Sequence, residues 1–170
     1  PGAGAITLTS AGVNDIFISK LDASGNYVWS RRMGSTLADF STEVLLDAAG
    51  NIYTTGSFQG TVDFNPDAGV NNLTSAGGAD IFLSKLDTDG VYLWAKKIGG
   101  TGDDMGYGLA LSSNGNLHVT GGFSTTVDFD PNAGIFSMVS AGGKDAFIMR
   151  LGSCCVSTTS TISPNVCDSY

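Results

Sequence analysis

An all-β fold built from tandem antiparallel units follows from three observations on the sequence. Pro1-Gly-Ala-Gly4 returns as Pro66-Asp-Ala-Gly69 and as Pro131-Asn-Ala-Gly134, so the chain repeats itself every 65 residues without a gap. Within each copy apolar side chains alternate with polar ones at a period of two, the spacing of a strand with one buried face. The composition agrees: 24 glycines and only 14% charged residues among 170, with plentiful β-branched and aromatic side chains, suit many short strands joined by tight turns. The copies span residues 1–65, 66–130 and, in part, 131–151, and the first two share 31 of 65 positions, Gly, Asp, Phe and Trp prominent among them.

Each unit opens on a strand, Asp15-Ile-Phe-Ile-Ser-Lys-Leu-Asp22 or its copy Asp80-Ile-Phe-Leu-Ser-Lys-Leu-Asp87. The turns Asp22-Ala-Ser-Gly25 and Asp87-Thr-Asp-Gly90 lead into Tyr27-Val-Trp29-Ser-Arg-Arg-Met33 and its copy, with Gly supplying the positive φ of a tight hairpin. A second hairpin pairs Glu43-Val-Leu-Leu46 with Ile52-Tyr-Thr-Thr55 across Asp47-Ala-Ala-Gly-Asn51. Its copy pairs Leu109-Ala-Leu111 with Leu117-His-Val-Thr120 across Ser112-Ser-Asn-Gly-Asn116. Between the hairpins, Thr61-Val-Asp-Phe64 and Asn72-Leu-Thr74 read as an insertion forming an extra hairpin or loop on one edge.

Four strands in two hairpins per copy describe a propeller blade, whose hydrophobic face only a neighbouring blade can cover. The predicted architecture is therefore an incomplete β-propeller of tandem four-stranded antiparallel blades, with a stacked β-solenoid as the alternative. Solenoid coils are usually shorter and lack paired antiparallel hairpins, which favours the propeller. Residues 1–33 supply the end of one blade, 39–98 a whole one, and 104–151 a third without its final strand. Propellers have about four to eight blades, so a longer parent chain with further blades is expected. Trp29 and Trp94, each following a turn, are the expected docking residues between blades. Asp15, Asp80 and Asp145, which start a strand in every copy, are expected to accept hydrogen bonds from blade to blade.

The string Asp-x-Phe-x-x-Lys-Leu-Asp, then Gly-x-x-x-Trp, then Gly-Asn-[Ile/Leu]-x-x-Thr-Gly resembles the bacterial SBBP-type β-propeller repeats. Its carriers are Asp80-Ile-Phe-Leu-Ser-Lys-Leu-Asp87, Gly90 to Trp94, Gly99-Gly-Thr-Gly-Asp-Asp104 and Gly115-Asn-Leu-His-Val-Thr-Gly121, and the resemblance covers about residues 1–151. The insert Thr126-Val-Asp-Phe-Asp-Pro131 is similar to a longer variant in large secreted proteins of the Bacteroidetes type. The resemblance implies a secreted or cell-surface location and a binding, adhesion or scaffolding role without defined activity. Asp87-Thr-Asp-Gly-Val-Tyr-Leu-Trp94 is also similar to the docking motif of quinoprotein dehydrogenases, where the motif is structural. It signals shared architecture and no quinone cofactor.

Candidate ligand sites are few. Asp63, Asn65 and Asp67, with Asp128, Asp130 and Asn132 in the next copy, place oxygens at positions 1, 3 and 5 of a loop, as many Ca²⁺ loops do. The bidentate Glu at position 12 is replaced by Thr74 and Val139, and the same Asp and Asn residues flanking a Pro close an ordinary turn. Calcium is thus the sole cofactor the sequence suggests, and a structural turn is the favoured reading. Asp103 and Asp104, with Asp39 matching Asp104, could serve as paired carboxylates, but adjacent strand residues point to opposite faces, so turn or cap roles are expected. His118 replaces Tyr53 of the other copy and is the single histidine, which argues against His-based triads and multi-His metal sites.

A net charge of −8 repels phosphate backbones and anionic lipid, so nucleic acid is not an expected partner. No apolar run reaches membrane-spanning length. Residues 152–170 read as a Ser/Thr-rich linker leading to a further Cys-containing module, with Cys167 and either Cys154 or Cys155 as an expected disulfide. No residue is expected to be catalytic, because the copies differ by bland swaps such as Ile18 to Leu83 and Arg31 to Lys96. The expected function is a non-catalytic extracellular segment binding protein or glycan. The alternative is part of a propeller hydrolase or lyase acting on glycans, with its active site in other blades.

Overall fold

The structure, a computed structural model, describes residues 7–152, and among them every regular element is a strand. The cysteines and the linker lie outside the described residues. The strands are β1 (Ile16–Leu21), β2 (Tyr27–Met33), β3 (Phe40–Leu46), β4 (Ile52–Phe58), β5 (Thr61–Asp63), β6 (Asn72–Thr74), β7 (Asp80–Leu86), β8 (Tyr92–Gly100), β9 (Met105–Leu111), β10 (Leu117–Asp128) and β11 (Ser137–Leu151). All strand pairs are antiparallel, as short hairpin connections require.

The middle of the chain forms one complete blade in the order β3-β4-β7-β8. β1 and β2 pair as the last two strands of the preceding blade, and β9, β10 and β11 form the first three of the next. Three of the hairpin turns are built the same way. In the first, the Asp22 carboxylate accepts the backbone N–H groups of Ser24 and Asn26 at 2.9 and 2.8 Å, and Gly25 takes φ 79°. Asp47 and Asp87 repeat the arrangement with Gly50 and Gly90. Glycine at the left-handed position closes a three-residue loop with a bulge, and the register shifts at Lys20/Leu21 and Lys85/Leu86.

The core lies between blades. Ile16 and Met33 of the first blade meet Phe58, Val62, Phe64 and Phe82 of the second. Their equivalents one repeat on, Ile81, Ile98, Phe123, Val127, Phe129 and Phe147, fill the next joint. Phe58 meets Phe64 edge to face at 5.3 Å, and Phe123 meets Phe129 likewise at 5.2 Å. Such a joint buries large aromatic area on both sides, which is why one blade alone would expose its face.

The insertion does not sit on an edge as its sequence position suggests. Val62 and Phe64 are fully buried, so the β5–β6 hairpin folds its apolar side into the joint with the preceding blade. In the third blade the insertion is not even a separate hairpin. β10 and β11 run on through it, and Val127 and Asp128 also pair with Gly100 and Gly99 of β8, tying two blades into one sheet.

Candidate functional site

The joints between blades gather the polar residues singled out in the sequence, and they are held chiefly by backbone amides. Asp39 and Asp104 are 1% and 0% exposed. Asp104 accepts N–H from Gly100, at the end of the preceding blade, and from Ser124 of its own, both at 2.8 Å. Its own N–H reaches the Ala79 carbonyl at 2.7 Å. Asp39 repeats the latch with Ser35 and Gln59 at 2.6 and 3.0 Å. Asp103 adds a bond from Ala79 N–H at 3.0 Å. Burial pushes the Asp104 carboxyl above its ordinary value, against the pull of the amides that bind its anion. Asp39 and Asp104, for which turn or cap roles are expected, in fact bridge blades. The signal was present in their identical position after Gly34 and Gly99.

Asp15, Asp80 and Asp145 are acceptors, but not from blade to blade; this expectation is corrected. Each closes the loop before its own strand, with Ala11, Ala76 and Ala141 donating at 2.8, 2.9 and 2.7 Å. Asp15 is also paired with Arg32 at 2.6 Å and Asp80 with Lys97 at 3.3 Å, both on the adjacent strand of the same blade. Glycine at 34 and 99 makes room, since a Cβ there would strike the Asp15 and Asp80 carboxylates. Burial raises the Asp80 pKa above its usual value, offset in part by Ala76 and Lys97. For Asp15, burial is outweighed by Ala11 and Arg32, and its pKa falls.

Trp29 is 8% exposed and lies with Ile52 and Leu86 of the next blade, its ring against Gly90. Trp94 packs at the following joint and meets Tyr53 edge to face at 6.0 Å. His118, in the place of Tyr53, is half-buried on β10 opposite Ala110 and Arg150.

The loops with calcium-like spacing are closed by their own backbone. Asp63 Oδ1 accepts Asn65 and Asn71 N–H at 3.0 and 2.8 Å, and Asp128 Oδ1 accepts Asp130 and Phe136 N–H at the same two distances. Asn65 and Asp130 each accept the N–H two residues on. The fifth position faces the preceding blade: Arg31 lies 3.9 Å from Asp67, and Lys96 donates to Asn132 at 2.7 Å. Among the described residues no three of His, Cys, Asp and Glu converge as a metal-binding group.

Two shallow grooves open along the second joint. One runs past Leu73, Lys96 and Lys97 to Asp130 and Asn132, and the other lies between Phe40, Gln59, Asp103, Met105 and Lys144. Lysines and aspartates line both, and both stand open to solvent.

Comparison with known proteins agrees with this architecture. Residues 93–132 match the family model of the SBBP β-propeller repeat, a stretch running from β8 through β9 and β10 into the second insertion loop. A WD repeat-containing protein of Acanthamoeba polyphaga mimivirus is 28% identical over 136 residues, covering 71% of this chain and 9% of that protein. The regulatory protein FlaEY of Caulobacter vibrioides is 29% identical over 128 residues, covering 75% of this chain and 13% of that one. The chain thus spans about a tenth of the length of the curated relatives it matches.

Proposed function

We propose that this segment of β-propeller repeats is a non-catalytic interaction scaffold, secreted or at the cell surface, that holds a protein or glycan through the grooves at its blade joints. The observation that carries this reading is where the buried carboxylates point. Asp39 and Asp104 bind backbone amides from both sides of a joint and so brace it, while Asp80 binds Ala76 and Lys97 within its own blade. The half-buried Lys96 and the exposed Asn132 at the joint present charge and hydrogen-bonding capacity on an open surface. Relatives described as a WD repeat-containing and a regulatory protein support an interaction role. Propeller repeats repeat their surface with the fold, which suits recognition of an extended partner.

An array of glycans and cell-surface proteins, probed with the chain and with Lys96→Glu, tests this. Saturable binding that Lys96→Glu weakens at least about tenfold, with unchanged melting and the ligand recovered intact by mass spectrometry, is the expected result. A cleaved ligand, or binding indifferent to Lys96, overturns the reading.

A further inference from the structure

The chain carries three copies of the same strand, β1, β7 and β11, and they are not equally covered. β2 pairs with β1 and β8 pairs with β7, whereas the corresponding edge of β11 is unpaired among the described residues. That edge is long, since β11 runs over 15 residues and bonds only β10 on its other side. An unpaired edge of this length offers a row of backbone donors and acceptors to another strand.

Two independent observations say what the edge lacks. Asp15 and Asp80 each take a cation from the covering strand, Arg32 of β2 and Lys97 of β8. Asp145, their equivalent, has no ion pair among the described residues. The covering strand also brings an aromatic ring to the joint, as Trp94 meets Tyr53, and at the position of Tyr53 the third blade has His118. The residues one repeat beyond β8 do not carry this pattern. Where β8 has Tyr92, Trp94, Lys97 and Ile98, the chain has Ser157, Thr159, Ile162 and Ser163.

We infer that the free edge of β11 receives, by antiparallel strand addition, the fourth strand of another repeat unit of this kind, one bearing Tyr-x-Trp and a Lys or Arg three residues after the Trp. The backbone ladder supplies affinity, and the Trp beside His118 and the cation at Asp145 fix the register. This inference rests on the repeat fold and stands apart from the partner proposed above, because the groove at Lys96 belongs to a different joint.

The test uses the whole chain and a synthetic peptide of residues 89–100, followed by calorimetry and sedimentation. One peptide is expected to bind per chain, with a Trp94→Ala peptide weaker by at least about tenfold. A Lys97→Glu peptide is expected to bind several-fold more weakly than the native one. His118→Tyr in the chain, which restores the Tyr–Trp contact of the complete blade, tightens binding. Binding of a scrambled peptide with equal affinity overturns the proposal, as does no binding at millimolar peptide to a folded monomer. A chain that sediments alone as a dimer, excludes the peptide and keeps that dimer in Trp94→Ala also overturns it, since the edge is then filled by something other than the fourth strand of a repeat.

Discussion

At the scale of the residue, this chain is decided by carboxylates that accept backbone N–H groups. Asp104 satisfies one amide on each side of a joint, so Asp104→Ala leaves two half-buried donors without partners. It should cost about 2–4 kcal/mol in denaturant unfolding, against clearly less for Asp130→Ala, whose bonds stay within its own loop. Thr125 is the one non-glycine with positive φ among the described residues, at 61°, in the place where the other copy has Gly60 at 68°. A β-branched residue is strained there, so Thr125→Gly should raise stability by about 1 kcal/mol, readable as a higher denaturation midpoint. The buried acids also set a pH response. The folded pKa of Asp80 and of Asp104 lies above the ordinary 3.8 because burial penalises the anion. For these two, the folded state holds protons more tightly than the unfolded chain, and stability falls as pH rises from 3.8 through the raised values. Asp15 and Asp47 have lowered pKa values and act in the opposite sense, losing their contribution as pH falls through them. Asp80→Asn should therefore make the stability of the chain rise more steeply with pH above 3.8 than in the parent, measured by unfolding at several pH values.

Among the elements, the insertion matters more than its place in the sequence suggests. Phe64 is 0% exposed between Phe58 and Phe82, so Phe64→Ala should cost about 3–5 kcal/mol, while Val139→Ala on the exposed part of β11 should cost little. The pattern Val-Asp-Phe was legible as a strand followed by a turn. Which way that strand faced was not, because a three-residue strand is too short for its alternation to identify a buried side. The same limit applies to its loop. Asp63, Asn65 and Asp67 have the spacing of a calcium loop and of a run of Asx turns alike, and only the positions of the amides distinguish the two. With its carboxylates already bonded to those amides, the chain should melt at the same temperature in chelator and in millimolar calcium; a rise on adding calcium would show that the loops reorganise around the ion.

Across the whole molecule, exposure follows the position of the copy and not the residue type. Phe82 and Phe147 are 0% and 7% exposed, but their equivalent Phe17 is 65% exposed. Leu83 is 1% exposed and Ile148, one repeat on, 78%. Val44 is 59% exposed where Leu109 is 9%. Each exposed member faces a side on which the strands that would cover it are not among the described ones. The joint is therefore the cooperative unit, and stability is expected to be a sum over joints as in other repeat arrays.

The sequence by itself determined the unit, its length of 65 residues, the strands and the turns, because periodicity and turn chemistry are local and were written at least twice. It also marked the residues that matter, through Gly, Asp, Phe and Trp shared between copies. Only the tertiary structure decided their partners. Asp80 and Asp104 are both aspartates ahead of a strand, yet one closes a loop within its blade and the other clamps two blades together. That difference is set by which backbone amides arrive beside each carboxylate once the blades have packed, and no spacing along the chain encodes it.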